Sequence, residues 1–197
     1  MKNQDRSLQT KEKLVHALKE CMQKKPLSKI TVSEIINMCD VNRKTFYYHF
    51  EDIYSLLKWM FEQEAIDIVR HFDLLVDTEE AVEFVLDYIE QNQHIVNCAY
   101  DSMGRDEMKR FFYLDFIDII KSLIEDCERR LSLKIDDDFR MFLADFYTEA
   151  FAGMCINYVR NMDNGTLSRE KMLDYIIVIH KESMLQIIKA KGKPIKG

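Results

Sequence analysis

Residues 31–50 read TVSEIINMCDVNRKTFYYHF, and this stretch decides the fold prediction because it encodes two short helices with separate caps. Thr31 and Glu34 form a capping-box pattern, in which each residue's side chain can bond the other's backbone amide, so a helix to about Cys39 is predicted. Asn42 is a second N-cap residue and opens another short helix to the end of the stretch. Two short helices joined by a turn of three or four residues are the helix-turn-helix pattern.

The second of these helices has two chemically different sides. At 100° per residue, Phe46 and Phe50 fall on the side that would pack on the preceding helices. The opposite side displays Lys44, Tyr47 and Tyr48, with Thr45 and His49 at its flanks and Arg43 at its edge. A helix fits the major groove of DNA, where Arg and Lys donate to guanine and Tyr contacts phosphate or a thymine methyl. The alternative is an ordinary half-buried helix with a solvated basic pair, but the capped helix before it favours DNA contact.

This helix pair resembles the DNA-binding domain of the TetR family of bacterial transcriptional regulators. The resemblance is carried by residues 30–35 and 41–50 and extends over residues 8–60. Residues 46–59 are also similar to a subgroup that includes regulators of dihydroxyacetone kinase operons, a similarity from which we assign no pathway. The family resemblance implies that bases are contacted by Arg43, Lys44 and Tyr48. It implies that phosphates are held or closely approached by Thr31, Ser33, Thr45, Tyr47 and His49.

One position departs from the family pattern. Many members have a phosphate-binding lysine three residues after the last aromatic residue of the motif, and Ile53 stands there in this chain. Lys58 lies more than one helical turn further on. We therefore expect lower non-specific affinity for DNA unless the basic residues near the N-terminus, Lys2 and Arg6, compensate.

Charge is divided unevenly along the chain. The 197 residues include 28 Lys and Arg and 34 Asp and Glu, a net charge of −6. Residues 1–50 alone contain ten basic and five acidic side chains, a net charge of +5, which leaves −11 for the remainder. A basic segment in an otherwise acidic chain indicates an acidic partner for that segment, and double-stranded DNA is the expected one.

Composition predicts an all-α fold. Five Gly and two Pro are about 4% of the chain, against roughly 12% in ordinary proteins. So few turn residues disfavour sandwiches, barrels and propellers, and 47% hydrophobic residues are enough to build a core. Uninterrupted apolar stretches fall far short of the ~20 residues of a membrane helix, and no signal-peptide pattern opens the chain. We therefore expect a cytoplasmic protein without a membrane partner.

Apolar periodicity predicts helices along the rest of the chain. They are expected over residues 8–23, 52–72, 78–92, 93–100, 106–131, 136–162 and 168–191, with a separation at Gly104 and a turn at residues 163–165. The predicted architecture is a three-helix N-terminal DNA-binding domain, residues 1–52. A long fourth helix joins it to a C-terminal helical effector-binding and dimerisation domain, residues 53–197.

The family resemblance implies a homodimer in which the last two long helices pair with their copies in a second chain. Residues on their apolar stripes that fit such an interface are Phe146, Ala150, Met154, Tyr158, Ile176, Ile179, Ser183 and Ile187. The same stripes fit any buried helix of a bundle. A two-fold dimer would place two DNA-reading helices about 34–36 Å apart or somewhat more, one turn of the double helix.

Aromatic and polarisable side chains of the C-terminal domain suit an adaptable ligand pocket. The candidate residues are Trp59, Tyr88, His94, Tyr100, Tyr113, Phe116, Tyr147 and Phe151. Each of them fits a packed core equally well, and the composition selects no particular ligand.

Catalysis, cofactors and metal sites find no support in the sequence. It contains no GxSxG, HExxH, P-loop or GxGxxG motif, so an enzyme is not expected. The five cysteines are widely separated and never form CxxC, which predicts reduced core residues. No paired His, Cys or Asp spacing indicates a metal ligand set.

These observations predict an effector-responsive transcriptional repressor that binds a palindromic operator as a homodimer and is controlled by an unknown small molecule. The alternative is a helix-turn-helix protein controlled by a protein coregulator that docks on the acidic domain.

Overall fold

The computed structural model describes the backbone of residues 2–161 and 168–194, and their side chains except at residues 2–4 and 180–182. Helices occupy most of this backbone, so the all-α prediction is confirmed. Strand pairing within the described ranges is limited to two residues each of β1 (Leu133–Lys134) and β2 (Lys193–Pro194), which run antiparallel. The turn predicted at residues 163–165 lies outside the described ranges.

The N-terminal helices follow the capping signals of the sequence. They are α1 (Lys2–Met22), α2 (Val32–Cys39), α3 (Arg43–His49) and α4 (Ile53–Phe61), with a 3₁₀ turn at Leu27–Lys29. The predicted capping box is present, because the Glu34 amide donates to Thr31 Oγ1 at 3.3 Å and the Thr31 amide donates to the Glu34 carboxylate at 2.9 Å. Asn42 caps α3 by accepting from the Lys44 amide at 2.7 Å. Each capping interaction of this kind contributes about 1 kcal/mol to helix stability.

These four helices share one apolar core. Leu14 and Leu18 of α1, Ile35 of α2, Phe46 of α3 and Leu56 of α4 are completely buried. Fully burying a side chain of this size contributes about 1.5–3 kcal/mol. The short α3 therefore depends on the core beneath it for its stability.

The helical conformation continues beyond α4 through a change of hydrogen-bond register. A π-helical turn at Glu62–Ile66 leads into α5 (Asp67–Val69). Lys19 of α1 donates to Glu64 in this turn at 2.6 Å. The long helix predicted over residues 52–72 is thus present, although its middle is π-helical.

The remaining helices are α6 (Thr78–Gln91), α7 (Gln93–Leu131), α8 (Asp137–Asn161) and α9 (Arg169–Lys191). Gly104 interrupts α7 with φ 80° and ψ 170°, a conformation that is essentially limited to glycine. The C-terminal halves of α7 and α9 pack on α8 through buried Ile124, Cys127, Leu143 and Ile188. Burial raises the pKa of the Cys127 thiol to about 11, which keeps it protonated.

Two compact units are present in the chain. One contains the residues up to Ala65 together with Asn92–Met108, and the other contains Ile66–Gln91 and the described residues from Lys109 onward. The domain boundary predicted from the sequence lies after residue 52. Residues 92–108 join the first unit through tertiary packing that a linear motif does not encode.

Candidate nucleic-acid interface and cavity

Helix α3 is anchored by its two phenylalanines. Phe46 is completely buried and Phe50 is 5% exposed, and their ring centroids lie 6.0 Å apart. Phe50 contacts Trp59 of α4 at 5.9 Å, and the ammonium group of Lys11 lies 5.1 Å from the Trp59 ring. Trp59, which the sequence placed in a ligand pocket, therefore supports α3 within the first unit. This packing fixes which side of α3 faces solvent.

The opposite side of α3 presents polar and aromatic groups to solvent. Tyr48 is 82% exposed and Tyr47 is 49% exposed, and Lys44 is also exposed. A tyrosine as exposed as Tyr48 contributes little to the core, because most of its ring remains in water. The arrangement agrees with the side-chain directions worked out from the sequence.

The guanidinium of Arg43 lies against two neighbours at the edge of this face. Its Nη1 donates to Ser33 Oγ at 3.1 Å and its Nη2 donates to the Tyr47 hydroxyl at 3.3 Å. The centre of the guanidinium lies 5.5 Å from the Tyr47 ring. These contacts join α2 to α3 and hold Arg43 beside the exposed tyrosines. The Tyr47 hydroxyl accepts in this contact, so its own hydrogen is available to a further acceptor.

The other residues predicted near phosphate differ in their exposure to solvent and in whether their polar groups are already hydrogen-bonded. Thr31 is exposed, but its hydroxyl already donates to the Glu34 carboxylate at 2.8 Å. Hydrogen bonds from Lys25 and then Thr31 lower the pKa of Glu34 to about 2. Thr45 and His49 are half-buried at the flanks of the exposed side of α3. Partial burial, followed by the positive charge of Lys11, lowers the pKa of His49, which favours its neutral form at pH 7.

The first turn of α4 has no lysine at the position that the family pattern often reserves for one. Ile53 occupies that position and is half-buried. Lys58 lies further along α4, where its Nζ is 3.7 Å from Glu62 Oε1. Lys58 is therefore paired with the first residue of the π-helical turn that follows α4, and this pairing disfavours it as a replacement phosphate ligand.

Two further residues predicted for the pocket belong to the first unit. His94 Nε2 lies 2.7 Å from the Met22 carbonyl oxygen, at the end of α1. Tyr100 is half-buried further along α7. Cys98, between them, donates weakly from its thiol to the Lys25 carbonyl at 3.8 Å. This first part of α7 therefore pairs with one backbone carbonyl at the end of α1 and with another just after it.

A partly open cavity of about 110 Å³ lies within the second unit. Its walls come from Val69, from Leu74 and from α6, α7, α8 and α9, and they are mainly aliphatic. Of the predicted pocket residues, Phe116 and Phe151 line this cavity. Three residues predicted at a dimer interface also line it, namely Met154, Tyr158 and Ile176.

The other tyrosines predicted for the pocket lie outside its lining. Tyr113 donates to Asp145 at 2.6 Å, and this hydrogen bond raises the pKa of Tyr113 to about 12. Tyr147 is buried, with its hydroxyl 2.5 Å from Ser183 Oγ. Tyr88 is half-buried on α6.

Sequence reasoning missed the aliphatic lining residues of α6 and α7, of which Ala81, Val85, Ile119 and Leu123 are examples. Their apolar periodicity is visible in the sequence, but it is the same for a wall of a cavity as for a filled core. Of the aromatic residues that the sequence analysis chose for a pocket, only Phe116 and Phe151 therefore belong to the lining of this cavity.

Large apolar side chains are exposed along α8 and α9. On α8 they include Phe142 at 62% and Phe146 at 58%, whose rings stack with centroids 6.3 Å apart. On α9, Ile179 is 58% exposed. Ala150 is also exposed, and Ser183 and Ile187 are half-buried. Exposed apolar side chains of this size are typical of surfaces that bind another protein.

Across residues 2–161 and 168–194, no group of three or more His, Cys, Asp or Glu side chains has an arrangement that could hold a metal ion. In those ranges, no helix combines the length and the apolar character needed to cross a membrane.

Comparison with known proteins gives two family matches that together cover most of the chain. Residues 10–59 match the family described as "Bacterial regulatory proteins, tetR family". Residues 77–181, more than half of the chain, match the family described as "Transcriptional regulator C-terminal region".

A curated relative and a solved structure are similar over most of their lengths. The HTH-type dhaKLM operon transcriptional activator DhaS of Lactococcus lactis subsp. lactis (strain IL1403) is 22% identical over 152 residues, covering 77% of this chain and 80% of the relative. The solved structure "Dihydroxyacetone kinase operon activator DhaS" has a TM-score of 0.64 at 20% identity, and the match covers 93% of this chain and 98% of the other. At this identity the structural likeness shows a shared fold.

Proposed function

The chain belongs to the TetR family of bacterial regulators and is a DNA-binding transcriptional regulator rather than an enzyme; from this premise we propose that it binds a palindromic operator as a homodimer and represses transcription until an effector binds. The exposed side of α3, opposite two buried phenylalanines, is the observation that carries the proposal. That side presents cationic and aromatic groups on a rigid element of the width that enters a major groove.

The proposed base contacts come from Arg43, Lys44 and Tyr48. All three are exposed, and Tyr48 is 82% exposed. Arg43 and Lys44 would donate to guanine, and Tyr48 would pack on a thymine methyl or donate to an acceptor. The contacts of Arg43 with Ser33 and Tyr47 support this role, because they restrict the guanidinium before DNA arrives.

The proposed phosphate contacts come from Thr31, Ser33, Thr45, Tyr47 and His49. Tyr47 is the strongest of them, since its hydroxyl hydrogen is available while its oxygen accepts from Arg43. The Thr31 hydroxyl is engaged in the capping box, so its contact would add to an existing structural role. Ile53 and the pairing of Lys58 with Glu62 favour a binding mode that relies on base contacts more than on charge.

We place the dimer interface on the exposed side of α8 and α9. Phe146, Ala150 and Ile179 lie on the exposed surface, and the stacked Phe142 extends it. Met154, Tyr158 and Ile176 contribute to the cavity of the same unit, so their share in the interface would be smaller. Removing the exposed aromatic surface from water would drive association at about 25 cal/mol per Å².

The cavity of the second unit supports a small-molecule effector. A coupling of about 1–3 kcal/mol between effector and operator binding would change operator affinity roughly 5- to 150-fold. A protein coregulator remains the second candidate, because exposed apolar side chains on α8 and α9 suit a protein partner as well as a second copy. Native mass spectrometry of the purified protein separates the two: a co-purified small molecule favours the first and a stoichiometric second polypeptide favours the other.

Activation is the alternative direction of regulation. The Lactococcus relative is named a transcriptional activator, and this name favours activation. We propose that the regulator acts in the cytoplasm. The output of a reporter gene behind the regulated promoter, compared between cells with the regulator and a deletion strain, distinguishes the two directions. Repression predicts higher reporter output in the deletion strain, whereas activation predicts lower output.

The DNA-binding proposal is tested with the promoter fragment upstream of the regulator's own gene. Purified full-length protein is expected to retard this fragment in the presence of excess random DNA, and to protect two half-sites about one helical turn apart or somewhat more. A single protected half-site would contradict the homodimer. Equal retardation of random DNA of the same length would contradict specific recognition.

A further inference from the structure

The lining of the cavity in the second unit offers almost no polar group to a ligand. Among its described lining residues, the side chains with a polar atom are Thr78, Cys155 and Tyr158, and none is charged at pH 7. The Thr78 hydroxyl donates to the Leu74 carbonyl at 2.6 Å, and the Tyr158 hydroxyl donates to Glu90. Burial raises the pKa of the Cys155 thiol to about 12, so it is a neutral and weak donor.

This lining discriminates against polar ligands. A hydroxyl that enters the cavity leaves its hydrogen bonds with water, and the hydroxyl groups of Thr78 and Tyr158, whose hydrogens are engaged, can only accept one hydrogen from it and donate none to its oxygen. Each such hydroxyl is expected to weaken binding roughly 5- to 150-fold, the equivalent of about 1–3 kcal/mol. A molecule with three polar oxygens on three carbons is therefore a poor occupant.

The size of the cavity limits the apolar part of the ligand. An engineered apolar cavity of about 150 Å³ binds benzene, and this cavity is somewhat smaller, at about 110 Å³. Met154 and Met172 line it, and methionine side chains adapt their shape readily. Because the cavity is partly open, the polar end of a longer molecule can remain in solvent.

We propose that the effector of this regulator is an uncharged molecule whose alkyl chain or small ring, of about four to six carbons, enters this cavity, and that polyols are excluded. The inference rests on the proposed function, since it names the chemistry of the effector site. It follows from the aliphatic walls, the engaged hydroxyls and the volume of the cavity.

Binding is tested with a series of probes, 1-propanol to 1-hexanol, compared with glycerol and dihydroxyacetone. The readout is the NMR signal of ¹³C-labelled methionine methyl groups in the full-length protein. Met154 and Met172 report on the cavity, and Met141, which is 59% exposed on α8, is the internal control. Each added methylene is expected to tighten binding about fourfold until the cavity is full, since burying one methylene contributes about 0.8 kcal/mol.

Two results of this titration overturn the inference. One is a larger shift of the cavity methionines with glycerol or dihydroxyacetone than with the alkanols. The other is an equal response of Met141 and the cavity methionines, which would indicate non-specific association with the alcohols.

Filling the cavity supplies a matched pair of variants. Ala81 is buried in the wall of the cavity, whereas Ala190 is exposed on α9. Ala81→Phe is expected to abolish the alkanol response, and Ala190→Phe is expected to retain it. If circular dichroism shows that Ala81→Phe does not fold, Val82→Leu, also in the wall, serves instead and should weaken 1-hexanol binding more than 1-propanol binding. Full retention of alkanol binding in a folded filled variant overturns the inference.

The operator assay separates this inference from the proposed function. Saturating 1-hexanol is expected to change operator affinity by about 5- to 150-fold in the wild type and not in the filled variant. If a bound alkanol does not change the affinity for the operator, the proposed class of effector is wrong, whereas the DNA-binding proposal is unaffected. Absence of specific DNA binding under all conditions contradicts the proposed function, whereas the NMR titration still decides what the cavity binds.

Discussion

Replacing Arg43 with alanine is expected to reduce sequence discrimination while leaving the fold intact. The side chain is exposed, and its hydrogen bonds to Ser33 and Tyr47, at 3.1 and 3.3 Å, lie at the surface. Exposed substitutions of this kind usually change the free energy of unfolding by less than about 0.5 kcal/mol. Any large loss of operator binding by Arg43→Ala is then attributable to the interface with DNA.

The size of that loss follows from the two copies of Arg43 in a homodimer. One bidentate contact between arginine and guanine contributes about 1–3 kcal/mol of discrimination. Two half-sites double this to about 2–6 kcal/mol, which corresponds to a loss of between about 30-fold and about 10⁴-fold in the affinity ratio of operator to scrambled DNA.

Fluorescence anisotropy with labelled operator and a scrambled duplex of the same length measures this ratio at fixed salt. Lys24→Ala is the matched control, because it removes one positive charge from an exposed side chain outside the proposed contact residues. The control is expected to keep the ratio of the wild type. The reasoning is refuted if Arg43→Ala keeps that ratio too, or if both variants lose affinity for operator and scrambled DNA alike.

Three further predictions concern stability and assembly. Phe46→Ala removes a completely buried ring and should lower the free energy of unfolding by about 3–5 kcal/mol in urea denaturation, whereas Tyr48→Ala should leave it nearly unchanged. The carboxylate of Glu34 accepts a hydrogen bond from Lys25, and its pKa is lowered from the ordinary 4.5 to about 2. The ionised carboxylate therefore stabilises the fold above pH 4.5, and this contribution is lost as the pH falls towards 2. The urea midpoints of Glu34→Gln and the wild type should therefore differ at pH 6 and converge near pH 2, and a constant difference would contradict the pKa. Phe146→Asp places a charge on the proposed interface and should yield a folded monomer by light scattering, and an unchanged dimer would place the interface elsewhere.

The helix-turn-helix was predictable because its signals are local. The capping hydrogen bonds of Thr31, Glu34 and Asn42 join residues no more than three positions apart. Helix geometry alone places Phe46 and Tyr48 on different sides of α3. Gly104 was predicted as a separation for a similar reason, since its positive φ depends on the residue itself.

Features that depend on distant packing were less accessible to sequence reasoning. The π turn at Glu62–Ile66 has the same apolar spacing as an α-helix, and only the hydrogen-bond register differs. Trp59 looked like a pocket residue because it is large and aromatic, but Phe50 and Lys11 surround it in the first unit. A cavity is a gap between helices, so periodicity identifies the side chains that face inward and leaves the position of the gap undetermined.

The central claim is that the exposed side of α3 meets DNA, and site-specific photocrosslinking tests it most directly. Two exposed tyrosines, Tyr48 on α3 and Tyr175 on α9, are each replaced by p-azidophenylalanine in the full-length protein, which is then irradiated with its operator. We predict a covalent adduct with bases inside the operator half-sites from position 48 and none from position 175. DNA adducts from position 175 alone, or none from position 48 when the operator is fully bound, would contradict the claim.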